Sequence, residues 1–311
     1  MTKIRKAVIT AAGRGTRQYP ASSTVQKELF PLVDVDGYAK PTLQIIVEEA
    51  LLSGIDEICI IANPVNVDPI RAHFKGLTPE QRLGQFKGKA WAESISERLD
   101  DAGKRITYVV QSTQQGFGHA VHHARDWTDG DPFILLVGDH IYVTDDSVRC
   151  AAQIIRAAEG SGADAFSGVM HTREAEVFRY GTVAATPLQG QESVYSIASM
   201  VEKPSLEFAR EHLKTPWLPE GIYYTFFGIH VFPTGLFDCL EHLIQSDTRV
   251  NGEIQLTSAQ ELLLGRCKYL CGEVNGLPHD MGIPEGLVET QIALALRSPF
   301  KEQAKKQLLA N

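Results

Sequence analysis

The run Ala11-Ala12-Gly13-Arg14-Gly15-Thr16-Arg17 has the composition of a loop that holds phosphate. Its glycines let the backbone turn sharply and approach a ligand. Successive free N–H groups in such a turn form an anion nest. Arg17 adds a planar fork of donors suited to phosphate oxygens. Lys27, further on, supplies a point positive charge. Two carboxylates, Asp139 and Asp280, each end an apolar stretch. Asp139 is a hard oxygen donor of the kind Mg²⁺ takes, although an Asp after a strand also serves as a turn or helix cap, and Asp280 reads as a cap for the helix that follows it. Gln111 offers both a donor and an acceptor, as an imide edge requires. It is equally a polar residue at a strand end. Glu202 and Lys203 are neighbours, so in a strand they face opposite ways unless the backbone bends. The plainer view is an exposed pair ahead of Pro204.

Two common phosphate patterns fail here. A dinucleotide fingerprint needs glycine where Gln18 stands, and the Gly-Lys-Ser/Thr of a Walker loop does not occur. The longer pattern G-x-G-T-R-x-x-P, followed by K-E-x-x-P, is more specific than a lone G-x-G. It covers Gly13, Gly15, Thr16, Arg17, Pro20, Lys27, Glu28 and Pro31. His119 and His123 share a helix face, but zinc would need a third ligand that is not evident.

The elements that must position these groups alternate. Strands are expected at Lys6–Thr10, Glu57–Ala62, Arg105–Gln111 and Pro132–Gly138. Helices are expected at Thr42–Ser53, Gly118–Trp127 and Val148–Glu159. This pattern predicts a doubly wound α/β fold, with a mostly parallel mixed sheet and helices on both faces. Ligands then sit beyond the carboxyl ends of the strands. Asp164–Met170, Tyr180–Ala185, Val194–Met200 and Tyr223–Phe232 read as strands extending the same sheet. One domain over 1–311 is expected, with a polar insertion at about 74–103, a loop insertion at about 205–221 and a helical segment at about 285–311.

The chain has 311 residues, 43% of them hydrophobic and 22% charged, with net charge −8. Nothing resembles the basic stripe of a nucleic-acid binder. The five cysteines are odd in number and scattered, which is not a disulfide framework. No apolar run is long enough to span a bilayer, and the start lacks a leader pattern. These features predict a cytoplasmic protein with neither nucleic-acid nor membrane partners.

The Gly13–Pro31 pattern resembles the signature of sugar-1-phosphate nucleotidyltransferases, in particular the bacterial uridylyltransferase branch. The run Gln111, Gly116-Phe117-Gly118-His119-Ala120 resembles the base-reading loop of that family. Asp280-Met281-Gly282-Ile283-Pro284-Glu285 resembles its D-x-G-x-P-E element, and Asn251–Thr257 matches another stretch, assigned here to fixing a helix start. The resemblance implies a Rossmann-like fold, UTP and a sugar 1-phosphate as substrates, Mg²⁺ as cofactor, and a dimer or tetramer. It implies that Ala11, Ala12, Gly13, Gly15, Thr16, Arg17, Gln111 and Gly116 bind nucleotide, and that Asp139 and Asp280 bind the metal. Tyr180, Gly181, Glu202 and Lys203 would hold the sugar phosphate. Arg17, Lys27, Asp139 and Lys203 would carry catalysis. His140 departs from the family pattern beside Asp139. Another pyrimidine triphosphate (dTTP or CTP), another hexose phosphate, or a non-catalytic nucleotide-sugar-binding regulator are the alternatives.

Overall fold

A computed structural model of the chain describes residues 3–190 and 193–309. Positions 310 and 311 of the expected C-terminal segment therefore lie outside the described residues. The strands in chain order are β1 (Lys6–Ala11), β2 (Pro31–Val33), β3 (Ala39–Pro41), β4 (Glu57–Ala62), β5 (Ile106–Val110), β6 (Phe133–Val137), β7 (His140–Val143), β8 (Ala165–Arg173), β9 (Gly181–Pro187), β10 (Val194–Glu202), β11 (Ile222–Phe232), β12 (Tyr269–Glu273) and β13 (Leu277–Asp280). The α-helices are α1 (Thr42–Leu52), α2 (Val67–His73), α3 (Pro79–Leu83), α4 (Ala90–Gly103), α5 (Phe117–His122), α6 (Arg125–Thr128), α7 (Cys150–Ser161), α8 (Leu206–His212), α9 (Gly235–Gln245), α10 (Leu256–Leu264), α11 (Pro284–Ala295) and α12 (Lys301–Leu309).

Nine strands form one sheet in the order β5-β4-β1-β6-β11-β8-β12-β10-β9. β5, β4, β1 and β6 are parallel neighbours, and within the sheet only β10 and β11 run against the rest. After β1 the chain builds outward through β4 and β5, then returns to add β6 on the other side of β1. The crevice between β1 and β6 is thus the switch point where ligands collect in such sheets. β9 also pairs with β11, so β8, β11, β9, β10 and β12 close into a small ring.

Alternating side chains explain the two layers. Ala7 and Ile9 of β1, Ile58 and Ile60 of β4, and Ile134 and Leu136 of β6 enter one core, against Leu43, Ile46 and Val47 of α1 and Ile154 of α7. Val8, Cys59, Ile61, Phe133 and Leu135 enter the other, against Val121 of α5, Leu236 and Leu240 of α9 and Leu256 of α10. Strands buried on both faces read as unbroken apolar runs for this reason. Each fully buried Leu or Ile contributes roughly 1.5–3 kcal/mol.

The expected helix over Gly118–Trp127 is split into α5 and α6. At His123 and Ala124 the backbone tightens to i→i−3 bonds, onto Ala120 and Val121. The insertion carries α3, whose Thr78 and Gln81 form a reciprocal capping box. Among the described residues no helix is long and apolar enough to cross a membrane.

Candidate active site

The glycine-rich loop leaves β1 at the buried end Ala11. Gly15 sits at φ +65°, the left-handed region that favours glycine. The turn it makes leads into a single 3₁₀ turn, Thr16–Gln18. Lys27 reaches back under this loop. A Cβ on Gly13 would lie 3.4 Å from its Nζ. That ammonium is ion-paired with Oδ2 of Asp139 and lies 3.9 Å from Oε1 of Glu28.

Asp139 and Asp280 meet through a contact that spans much of the chain. β7 and β13 form a four-residue antiparallel ladder in which Asp280 lies opposite His140. Met281 donates its backbone N–H to the Asp139 carbonyl at 2.7 Å. Gln18 is buried and donates its side-chain amide to the Met281 carbonyl at 2.8 Å. The residue that breaks the dinucleotide fingerprint thus ties the glycine-rich loop to the Asp280 loop. Arg17 lies 3.5 Å from Asp280, with its side chain more than half exposed.

Ligand atoms of Asp139, His140 and Asp280 lie within 4.8 Å of one another. Two carboxylates fit a hard divalent cation, and the imidazole is the less suited third donor. Gly282 keeps this corner open. A Cβ there would sit 2.6 Å from Nη2 of Arg17, 2.7 Å from Oδ1 of Asp280 and 2.8 Å from Oδ2 of Asp139.

The electrostatics follow from burial and pairing. Burial works against ionising Asp139, but Lys27 and His140 outweigh it and hold the carboxyl well below the usual range. Burial disfavours charge on Lys27, yet Asp139 and Glu28 raise its pKa. His140 is raised against its own burial by the bond to Asp139. Glu28 is pushed up to about 8 by burial, against the pull of Lys27.

Gln111 is buried at the end of β5, and its amide N–H donates to Nδ1 of His119 at 2.7 Å. His119 and His123 stack edge to face 4.7 Å apart. Burial lowers the pKa of His119. On the other side, Glu202 ends β10 opposite Gly181 of β9. A Cβ on Gly181 would overlap the Phe226 ring, 2.7 Å away. Lys203 has φ +47° and donates its backbone N–H to the Tyr180 carbonyl at 3.1 Å. This is the bend that lets Glu202 and Lys203 line the same space, their charged groups 3.7 Å apart.

One cavity of about 800 Å³ gathers these groups. Of the residues singled out from sequence, Ala12, Gly13, Gly15, Thr16, Arg17, Lys27, Gln111, Gly116, Asp139, Tyr180, Gly181, Glu202, Lys203 and Asp280 line it, while Ala11 lies beneath the loop as the last residue of β1. Arg14, Arg179, His230 and Thr257 also line it and were not singled out. Thr257 falls in the Asn251–Thr257 stretch expected only to start a helix. It does sit at the start of α10, but its hydroxyl also donates to Oε2 of Glu202 at 2.6 Å.

The chain matches the family model described as Nucleotidyl transferase over residues 6–291. It is 33% identical over 310 residues to a UTP–glucose-1-phosphate uridylyltransferase of Staphylococcus epidermidis, covering 99% of this chain and 98% of that protein. Identity is 35% over 298 residues to UTP–glucose-1-phosphate uridylyltransferase 2 of Staphylococcus saprophyticus, covering 96% and 94%. Among solved structures, a UTP-bound UGPase from Acinetobacter baumannii superposes with a TM-score of 0.78 over 99% of both chains. At 24% identity that likeness speaks to the fold.

Proposed function

Because the chain belongs to the nucleotidyl transferase family, we propose that it moves the uridylyl group of UTP onto glucose 1-phosphate, giving UDP-glucose and pyrophosphate. One observation carries the proposal. A single cavity at the switch point is lined by the Gly13–Arg17 loop, Lys27, Asp139, Asp280 and the Glu202–Lys203 turn. The substrate pair is the one for which the Staphylococcus relatives are named.

The sugar phosphate is a monoester with a second pKa near ~6, so it is largely ionised at neutral pH. It needs no general base. One of its oxygens attacks the α-phosphorus in line, forming a new O–P bond. The bond from the α-phosphorus to the bridging oxygen breaks, and its electron pair leaves on pyrophosphate. The obstacle is bringing two anions together, so positioning and charge compensation do most of the work.

The backbone from Ala11 to Thr16, with Arg17, takes the triphosphate. Lys27 and Arg17 steady the departing pyrophosphate, and Lys203 holds the attacking phosphate. Glu202 accepts from sugar hydroxyls, with Tyr180 and Gly181 as the adjoining wall. Gln111 keeps its amide oxygen and one N–H for the uracil edge, with Gly116 against the base. Asp139 and Asp280 would hold Mg²⁺, which when bound offsets charge on the α-phosphate. We further propose a cytoplasmic homo-oligomer, a dimer or tetramer. The exposed apolar side chains Val288, Ile292 and Phe300 support an oligomer face near the C-terminus.

The test is a panel of UTP, dTTP, CTP and ATP against glucose, galactose and N-acetylglucosamine 1-phosphates, with products identified by mass. UDP-glucose should dominate. Turnover confined to another pair would replace the substrate assignment. No product from any pair would favour a binding protein.

A further inference from the structure

The contact between Thr257 and Glu202 joins two elements distant in the chain. Thr257 is buried, and its hydroxyl bonds one carboxylate oxygen of Glu202, Oε2, at 2.6 Å. The other oxygen, Oε1, lies 3.7 Å from Nζ of Lys203. A glutamate carboxylate otherwise rotates over a broad, shallow range. A bond from a fixed hydroxyl removes that freedom and leaves Oε1, beside Lys203, as the oxygen that faces a ligand.

The hydroxyl is fixed because α10 is held both at its middle and just before its first residue. One turn along, Gln260 donates to the Tyr269 hydroxyl at 2.7 Å. Ser167 Oγ lies 2.7 Å from both that hydroxyl and Nδ1 of His230. All four residues are buried. Just before α10, Ile254 donates its N–H to the Gln115 carbonyl at 2.8 Å, and Gly118 donates to the Ile254 carbonyl at 2.9 Å. Gly116 is pressed so close that a Cβ would lie 2.6 Å from the Ile254 carbonyl oxygen. The strap entering α10 is therefore anchored to the base-side loop, while Thr257 reaches the sugar side.

We propose that Thr257 is the positioning residue for Glu202, and that this bond sets how tightly and how selectively the hexose of the sugar 1-phosphate is held. The inference rests on the uridylyltransferase reading above. A hydrogen bond to a charged group is worth a factor of about ten or more, so that is the size of effect expected.

The test compares Thr257→Val, which keeps the shape and removes the hydroxyl, with Thr257→Ser, which restores it. The valine variant should raise KM for glucose 1-phosphate about tenfold and leave KM for UTP unchanged. Its preference for glucose over galactose 1-phosphate should fall, and the serine variant should recover most of both. Equal rises in both KM values, or a valine variant identical to wild type, would overturn the role. Should the valine variant not fold, Thr257→Ala takes its place with the same expectations. Calorimetric binding of glucose 1-phosphate separates the two proposals. Wild type that binds the sugar phosphate without turnover contradicts the uridylyltransferase reading. A valine variant that binds it as tightly as wild type contradicts the Thr257 role.

Discussion

Asp280 lies directly across the β7–β13 ladder from His140, which places its carboxylate beside that of Asp139. The ladder is four residues long, and the two-aspartate arrangement depends on it. Two neighbours hold its open end: Gln18 bonds the Met281 carbonyl, and Gly282 leaves room for the carboxylates. The first two predictions concern these neighbours.

Gly282→Ala should cripple the site without unfolding the chain. The added methyl would press on Arg17, Asp280 and Asp139 at 2.6–2.8 Å, closer than real Cβ contacts come. We expect kcat to fall at least about tenfold, a barrier change of roughly 1.4 kcal/mol, with an unchanged circular dichroism spectrum. Wild-type turnover in this variant would show that the corner is not where the reaction occurs.

Gln18→Leu should loosen the Asp280 loop. It removes a buried donor and leaves the Met281 carbonyl without that partner, at a cost of about 1–3 kcal/mol. Denaturant melts should register that loss. The Mg²⁺ concentration for half-maximal rate should also rise several-fold. A stability loss with an unchanged Mg²⁺ requirement would confine Gln18 to a structural role.

His230 should make the fold sensitive to acid. It is buried, and burial lowers its pKa to about 3 in the native chain. Its ordinary value is near ~6.5, so the unfolded chain takes up the proton first as pH falls. The stability it contributes is complete above about pH 6.5 and is lost from there down toward pH 3. The slope is up to about 1.4 kcal/mol per pH unit. Urea melts between pH 7 and pH 4.5 should lose stability more steeply in wild type than in His230→Gln. Parallel pH profiles would place the acid sensitivity elsewhere.

Much of this was legible in the sequence, and the exceptions have physical causes. Ala11 and Asp139 could be found because each ends an apolar run buried on both faces, Gln111 because it closes the apolar run of the edge strand β5, and strand ends point to the crevice. β7 and β13 could not be read as strands. They are four residues long, interrupted by His140, Pro278 and His279, and each is stabilised by its distant partner rather than by its own pattern. Lys203 at φ +47° carries no local signal, since left-handed backbone is uncommon outside glycine. Adjacency alone therefore places Glu202 and Lys203 on opposite faces unless the backbone bends, and the bend is what the structure adds. Helix α9 was not assigned, although Leu236, Phe237, Leu240 and Leu243 fall at helical spacing and are buried; of α10 only the start, at Asn251–Thr257, was expected. Thr257 falls within the Asn251–Thr257 motif, but its partner Glu202 lies on another element, β10.

The central claim is that the paired aspartates of one cavity serve uridylyl transfer from UTP to glucose 1-phosphate. Its most direct test is the rate of pyrophosphate release from that pair, with and without Mg²⁺, in wild type and in Asp139→Asn. The account predicts Mg²⁺-dependent release in wild type. It predicts a fall of roughly a hundredfold or more in the variant, whose fold survives by circular dichroism. Full release by Asp139→Asn in Mg²⁺, or release by wild type that ignores Mg²⁺, would contradict it.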